Sequence, residues 1–126
     1  MFRCVLLVFS LSVATLPASA QAARKFTAQT LRGELVVLNP PEVLMNRQPA
    51  RLAPGARIRG VDNLLVMSGA LVGRSEVVHY TFDHQGNLQD VWMLNVAELG
   101  VRPWPVSLQQ AGSWAFNPDT QTWSRR

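Results

Sequence analysis

Val77 to Leu94, VVHYTFDHQGNLQDVWML, is two apolar runs around a turn. Val77–Phe82 is β-branched, aromatic or imidazole throughout, and Leu88–Leu94 alternates in part and carries Trp92. Between them, Asp83-His84-Gln85-Gly86-Asn87 offers Gly86 for the positive-φ position of a bulged turn. The spacing predicts a β-hairpin around which further strands are laid. In that hairpin Phe82 faces Leu88, Tyr80 lies near Asp90 and Val78 near Trp92. Val78, Phe82, Leu88, Trp92 and Leu94 then share the core side.

Upstream, Leu31–Leu38 reads as a strand with Gly33 at a bulge, and Asn39-Pro40-Pro41 ends it, since proline cannot donate to a ladder. Glu42–Met45 and Gln48–Leu52 flank a tight turn at Asn46-Arg47. Ala53-Pro54-Gly55-Ala56 has the residues of a type II turn. Arg57-Ile58-Arg59 alternates, with Ile58 inward and both arginines outward. Leu64–Gly73, LLVMSGALVG, fits either a bent buried strand or a single helical turn.

Downstream, Asn95-Val96-Ala97-Glu98 has capping-box spacing, so one helical turn is expected at 95–99 with Gly100 as its C′ residue. Val101–Pro105 is extended, because both prolines fix φ. Gly112–Arg126 predicts a second hairpin, turned at Asn117-Pro118-Asp119-Thr120. Trp114, Phe116 and Trp123 flank that turn, and a lone hairpin must pack on the main sheet or on a partner.

The amino terminus predicts export. Arg3 supplies a positive start, Val5–Leu16 is apolar and uncharged, and Ala18-Ser19-Ala20 suits cleavage before Gln21. The apolar run is short of the ~20 residues a bilayer span needs. Residues 1–20 are therefore expected as a signal peptide, with a soluble periplasmic product and no membrane span after cleavage. Cys4, the only cysteine, leaves with it, and with it go disulfide, thiol nucleophile and thiolate metal chemistry. Residues 21–30 read as a flexible lead-in, 31–99 as one all-β domain and 100–126 as a Pro/Trp-rich extension with a hairpin.

From Leu31 to Leu94 one order of signals recurs. A strand with an early glycine (Arg32-Gly33-Glu34-Leu35) precedes a tight turn. Pro54-Gly55-Ala56-Arg57-Ile58-Arg59 and Gly69-Ala70-Leu71-Val72-Gly73 follow, then a strand ending in Asp83-His84-Gln85-Gly86-Asn87 and a last strand. In this order the chain resembles small exported bacterial β-barrel domains of the OB-like kind. The resemblance covers about half of the chain and implies a barrel of five or six strands, in a class used more for binding than for chemistry. It carries over no functional residue.

The residues favour no catalyst. Ser68 lacks the first glycine of a nucleophile elbow. The acids Glu34, Glu42, Asp62, Glu76, Asp83, Asp90, Glu98 and Asp119 are scattered singly rather than paired for acid–base work. No phosphate loop or dinucleotide fingerprint is present, and no cofactor is expected. A periplasmic metal-handling alternative, for copper or zinc, would use His79, His84 and the methionines Met45, Met67 and Met93, as soft copper favours such ligands. The histidines have no recognised metal spacing, and methionine also fills cores.

Two features stand above this background. Arg47, Arg51, Arg57 and Arg59 lie in a stretch with no acid from Val43 to Val61. They form either a solvated strand face or a patch for phosphate, acidic glycan or an acidic partner. Trp104, Trp114 and Trp123 either cover the barrel as a satellite core or meet a partner. The formal net charge of +4, of which Arg3 contributes one, is too small to name a partner, and nucleic acid is not expected in this compartment. The expectation is a non-catalytic envelope binding or assembly module, with these seven residues as ligand or partner contacts.

Overall fold

The computed structural model describes residues 23–126, so the signal-peptide expectation for 1–20, Cys4 included, lies outside the described residues. The described residues are mostly strand with little helix. Five strands, β1 (Leu31–Asn39), β2 (Glu42–Met45), β3 (Gln48–Arg59), β4 (Ser75–Phe82) and β5 (Leu88–Met93), form one mixed sheet. Its order, β1-β2-β3-β5-β4, closes on itself through the β1–β4 pair. All contacts in the ring are antiparallel except β3–β5. Two short helices follow, α1 (Val96–Leu99) and α2 (Leu108–Ser113), and then a hairpin of β6 (Trp114–Asn117) and β7 (Thr122–Arg125).

Strand alternation fills the ring. Leu31, Leu35 and Val37 of β1, Val43 and Met45 of β2, Leu52 and Ile58 of β3, Val78 and Tyr80 of β4, and Leu88 and Val91 of β5 form one buried cluster. Leu71 joins it from the β3–β4 connection, where Leu64–Gly73 resolves as a loop with a 3-10 turn at Ser68–Leu71. The same loop leaves Leu64, Leu65 and Met67 exposed.

The opening hairpin forms, but its register differs from the expectation. Gly86 has φ +80°, and the Asp83 carboxylate accepts from the Gln85 and Asn87 amides at 2.8 and 2.9 Å. Phe82 faces Leu88 as expected, and then the ladder slips: Tyr80 pairs with Val91, His79 with Trp92 and Val78 with Met93. Gln89 and Asp90 together oppose Thr81, a β-bulge in which the Thr81 hydroxyl accepts from the Asp90 amide at 3.3 Å. One extra residue moves every side chain beyond it to the other face. On β5, Val91 therefore takes the core place expected of Trp92, and Leu94, also expected inside, joins a second cluster; on β4, Tyr80 lies on the side of Val78 and is buried. Phe82 is exposed at the strand end, and Trp92 is half-buried on the outer face.

Other local expectations shift for equally local reasons. Gly33 is not at a bulge, because the β1–β4 register runs through it unbroken. It is a close approach: a Cβ there would meet Asn46 Oδ1 and Met45 Sδ at 2.8 Å. Asn46 and Arg47 do make the tight turn, at φ 52° and 65°, and Asn46 bonds the Glu34 backbone through both its amide and its side chain. Pro54-Gly55 does not end a strand. Gly55 takes φ +78°, and β3 continues past a register break between Leu52 and Arg57. The Asn95–Glu98 capping box is reciprocal, but Gly100 closes α1 at φ −72° and uses no left-handed conformation.

Candidate functional site

The outer faces of β1, β4 and β5 present Arg32, His79 and Trp92 side by side, since Arg32 pairs with His79 and His79 with Trp92. A second buried cluster covers them, built from segments at the two ends of the described chain. Phe26 comes from residues 23–30, part of the 21–30 lead-in; Trp104 comes from the extended 101–105 segment; Trp123 comes from β7. Phe26 stands edge-on to His79, Trp92 and Trp104 at centroid distances of 4.4, 5.3 and 5.9 Å. Trp104 stacks on His79 at 4.2 Å, and Trp123 packs against Trp104 and Phe116 at 6.1 and 4.9 Å. Aromatic pairs in these geometries contribute about 0.5–1.5 kcal/mol each beyond their burial.

Polar groups tie the cluster down. The Trp104 indole N–H donates to the Thr30 carbonyl at 3.0 Å, and the Arg32 amide donates to the Pro105 carbonyl at 3.0 Å. Arg24 makes a two-pronged ion pair with Glu98 and donates to the Gly60 and Met93 carbonyls at 2.9 and 2.7 Å. This ties the first described residues to the ends of β3 and β5 and to α1. The 114–125 hairpin forms with Phe116 opposite Trp123, and the Asn117 side chain accepts from the Asp119 amide at 3.0 Å.

Arg32 is the hub. Its guanidinium donates to His79 Nε2 at 3.1 Å and to the Val101 and Glu98 carbonyls at 2.9 Å each, and it lies 5.5 Å from the Trp104 ring. Burial, then the nearby Arg102, lower its pKa. Because His79 Nε2 accepts, the neutral imidazole carries its proton on Nδ1. Burial first, then Arg32 and Arg24, lower the His79 pKa to about 3. Two donors in this cluster, His79 Nδ1–H and Trp123 Nε1–H, are buried with no acceptor among the described residues. A buried polar group left unpaired costs about 1–3 kcal/mol.

Beside the cluster a cleft of about 770 Å³ opens to solvent. Arg32, Arg102, Arg125, Trp104, Trp114 and Trp123 line it, and no carboxylate does. Arg125 lies 5.2 Å over the Trp114 ring. Arg102 is exposed and makes only a 3.5 Å contact to the Leu99 carbonyl. The cleft thus combines the partly open Trp114 indole with guanidinium groups that have donors to spare, a combination suited to planar bidentate contact with an oxyanion.

The strand arginines are arranged otherwise. Arg47 sits exposed on the β2–β3 turn, and Arg51 and Arg57 are exposed on β3 with Arg59 half-buried. Pairing sets Arg51 beside Glu42 and Arg57 beside Asp90, so the acid-free stretch of sequence is not acid-free in space. No salt bridge or side-chain hydrogen bond engages the four among the described residues. Trp104 and Trp123 are buried, at 6% and 5% exposure, and only Trp114 is partly open.

The alternative metal ligands are also dispersed. His79 Nε2 is taken by Arg32, His84 is exposed on the hairpin turn, Met45 is in the core and Met67 is 83% exposed. Among the described residues no group of three or more His, Cys, Asp or Glu side chains is placed to hold a metal ion, and no helix is long and apolar enough to cross a membrane.

Arg32, Arg102 and Arg125 escape a reading by sequence, since they are scattered along the chain and lie in no acid-free basic stretch. A weak signal exists for the last two: Arg102 and Trp104, and Trp123 and Arg125, are two apart, the spacing that puts extended residues on one side. Helix α2 is missed as well, although Ser107-Leu108-Gln109-Gln110 has capping-box spacing and Ser107 Oγ accepts from the Gln110 amide at 3.2 Å. Comparison of the chain with protein-family models, curated proteins and solved structures gives no match.

Proposed function

We propose that the chain is a non-catalytic binding module of the bacterial envelope, exported by a signal peptide cut before Gln21. Its OB-like barrel carries a cleft for an acidic ligand or partner on the outer wall. The observation that supports binding is the cleft itself, with three arginines and three tryptophans along its lining and no carboxylate. The closed five-strand order with one parallel pair supports the OB-like reading. The signal-peptide pattern of residues 1–20 supports the address. The acids support no acid–base pair: Glu98 is held by Arg24, and Asp83 is engaged in its own turn.

The cleft is a better candidate than the β3 arginines, which have Glu42 and Asp90 as strand neighbours. A cross-linked pull-down from envelope extract tests this with wild type, Arg57→Ala/Arg59→Ala and Arg102→Ala/Arg125→Ala. The expected result is capture by the first two proteins, lost in the third and weakened as salt shortens the Debye length below ~8 Å. Equal capture by all three, or by none, overturns the reading. Intact mass of the exported protein tests the address, and a chain retaining Met1 and Cys4 contradicts it.

A further inference from the structure

We infer that the cleft takes a small organic carboxylate with a flat apolar body, its carboxylate held by Arg102 and Arg125 and its body lying against Trp114 and Pro103. The inference rests on the anion-binding reading above and narrows it to a ligand class.

Hydrogen-bonding balance argues for this class. The lining offers many donors: the Arg102 and Arg125 side chains make no hydrogen bond closer than 3.5 Å among the described residues. Its acceptors are few. Gln110 Oε1 already accepts from the Val106 amide at 2.9 Å, which leaves Ser124 as the other neutral polar side chain. A sugar acid brings several hydroxyl donors, for which the lining side chains offer little beyond Ser124 and the second lone pair of Gln110 Oε1. A carboxylate on a flat ring brings acceptors only. It matches a guanidinium fork, and its ring faces match Trp114 and Pro103. A space of about 770 Å³ is of the size that holds a molecule of a few rings.

Trp123 supplies the readout. Its ring borders the cleft beside Ser124 and Arg125, so a flat ligand arriving there changes the surroundings of its buried indole N–H. Purified protein is titrated with 2-naphthoate, 2-naphthylmethanol, a glucuronate disaccharide and inorganic phosphate. Tryptophan fluorescence and the indole N–H signals, assigned with Trp123→Phe, follow binding. The expected result is saturable binding of 2-naphthoate with a shift of the Trp123 N–H signal. Arg102→Ala/Arg125→Ala, which replaces two exposed side chains, weakens it by about tenfold or more, as loss of a charge-assisted fork predicts. The neutral alcohol binds far more weakly.

If glucuronate or phosphate binds through Arg102 and Arg125 and 2-naphthoate does not, the ligand class is overturned while the anion site stands. If the alcohol matches the carboxylate, or the double variant binds as wild type does, anion recognition at the cleft fails and both readings fall. If no probe binds, the carboxylate inference is overturned, and the pull-down alone decides the broader one.

Discussion

The two buried clusters of this protein lie on opposite sides of the same strands and are built differently. Inside the ring the cluster is aliphatic, with Tyr80 its only aromatic member. Outside, the cluster is aromatic and enclosed by polar hubs, Arg32 and His79 among them. The inner cluster draws on strands and one loop, whereas the outer draws on segments near both ends of the described chain. Strand alternation fills most of the inside, with Leu71 added from the loop. The outside is filled because the lead-in and the C-terminal extension lie across a face that alternation would have left to solvent. A single strand, β4, serves both: Val78 and Tyr80 face in, and His79 between them faces out, yet all three are buried.

Truncation is the strongest test of that division. A chain ending at Pro105 keeps all five strands of the ring but loses Trp114, Phe116 and Trp123. The expected outcome is loss of near-ultraviolet dichroism and a large fall in thermal midpoint, since β4 and β5 would show an apolar outer face to water. A truncated chain with the wild-type midpoint would separate the two clusters and make the extension an ornament on a self-sufficient sheet.

Single residues sharpen the comparison. Leu88→Ala in the inner cluster should cost about 2–5 kcal/mol and Trp104→Ala in the outer about 3–5 kcal/mol, by urea unfolding. Trp104→Ala also uncovers His79 and frees the Thr30 carbonyl. Equal costs and a single transition in both variants would mean that the clusters unfold together. A cost at Trp104 below 1 kcal/mol would mark the outer cluster as loosely held.

The clusters should also differ in their response to acid. His79 in the folded chain titrates near 3, below its ordinary value of 6.5. Between those values the unfolded chain binds a proton that the folded one refuses, so lowering the pH favours unfolding. The contribution is complete above pH 6.5 and is lost as pH falls toward 3, with a slope of at most about 1.4 kcal/mol per pH unit. His79→Gln, whose amide oxygen is able to accept from Arg32, should flatten that slope. An unchanged slope would place the acid sensitivity in other groups.

The smallest effect is expected on the surface. Arg57→Ala/Arg59→Ala removes two charges without a hydrogen-bonded partner and should move stability by no more than about 0.5 kcal/mol per site. A larger loss would show that Arg59, half-buried beside Trp92 in the ladder, packs on the outer cluster.

The sequence by itself determined the elements whose causes are local. The Asp83–Asn87 turn, the Asn46-Arg47 turn, the Asn95–Glu98 capping box and the Asn117–Thr120 turn each depend on residues a few positions apart, so spacing reveals them. The inner core followed where alternation was plain and ran unbroken, as at Ile58. Tertiary structure decided the rest. A bulge opposite Thr81 exchanged Trp92 for Val91 in the core, because one inserted residue reverses all facing beyond it and leaves no local signature. Gly33 was settled by the approach of Asn46, and the neutrality of His79 by burial beside Arg32. The cleft belongs to the same class: Arg32, Arg102 and Arg125 come from three separate segments, and their meeting depends on how the chain ends cross the sheet, which no spacing along the chain encodes.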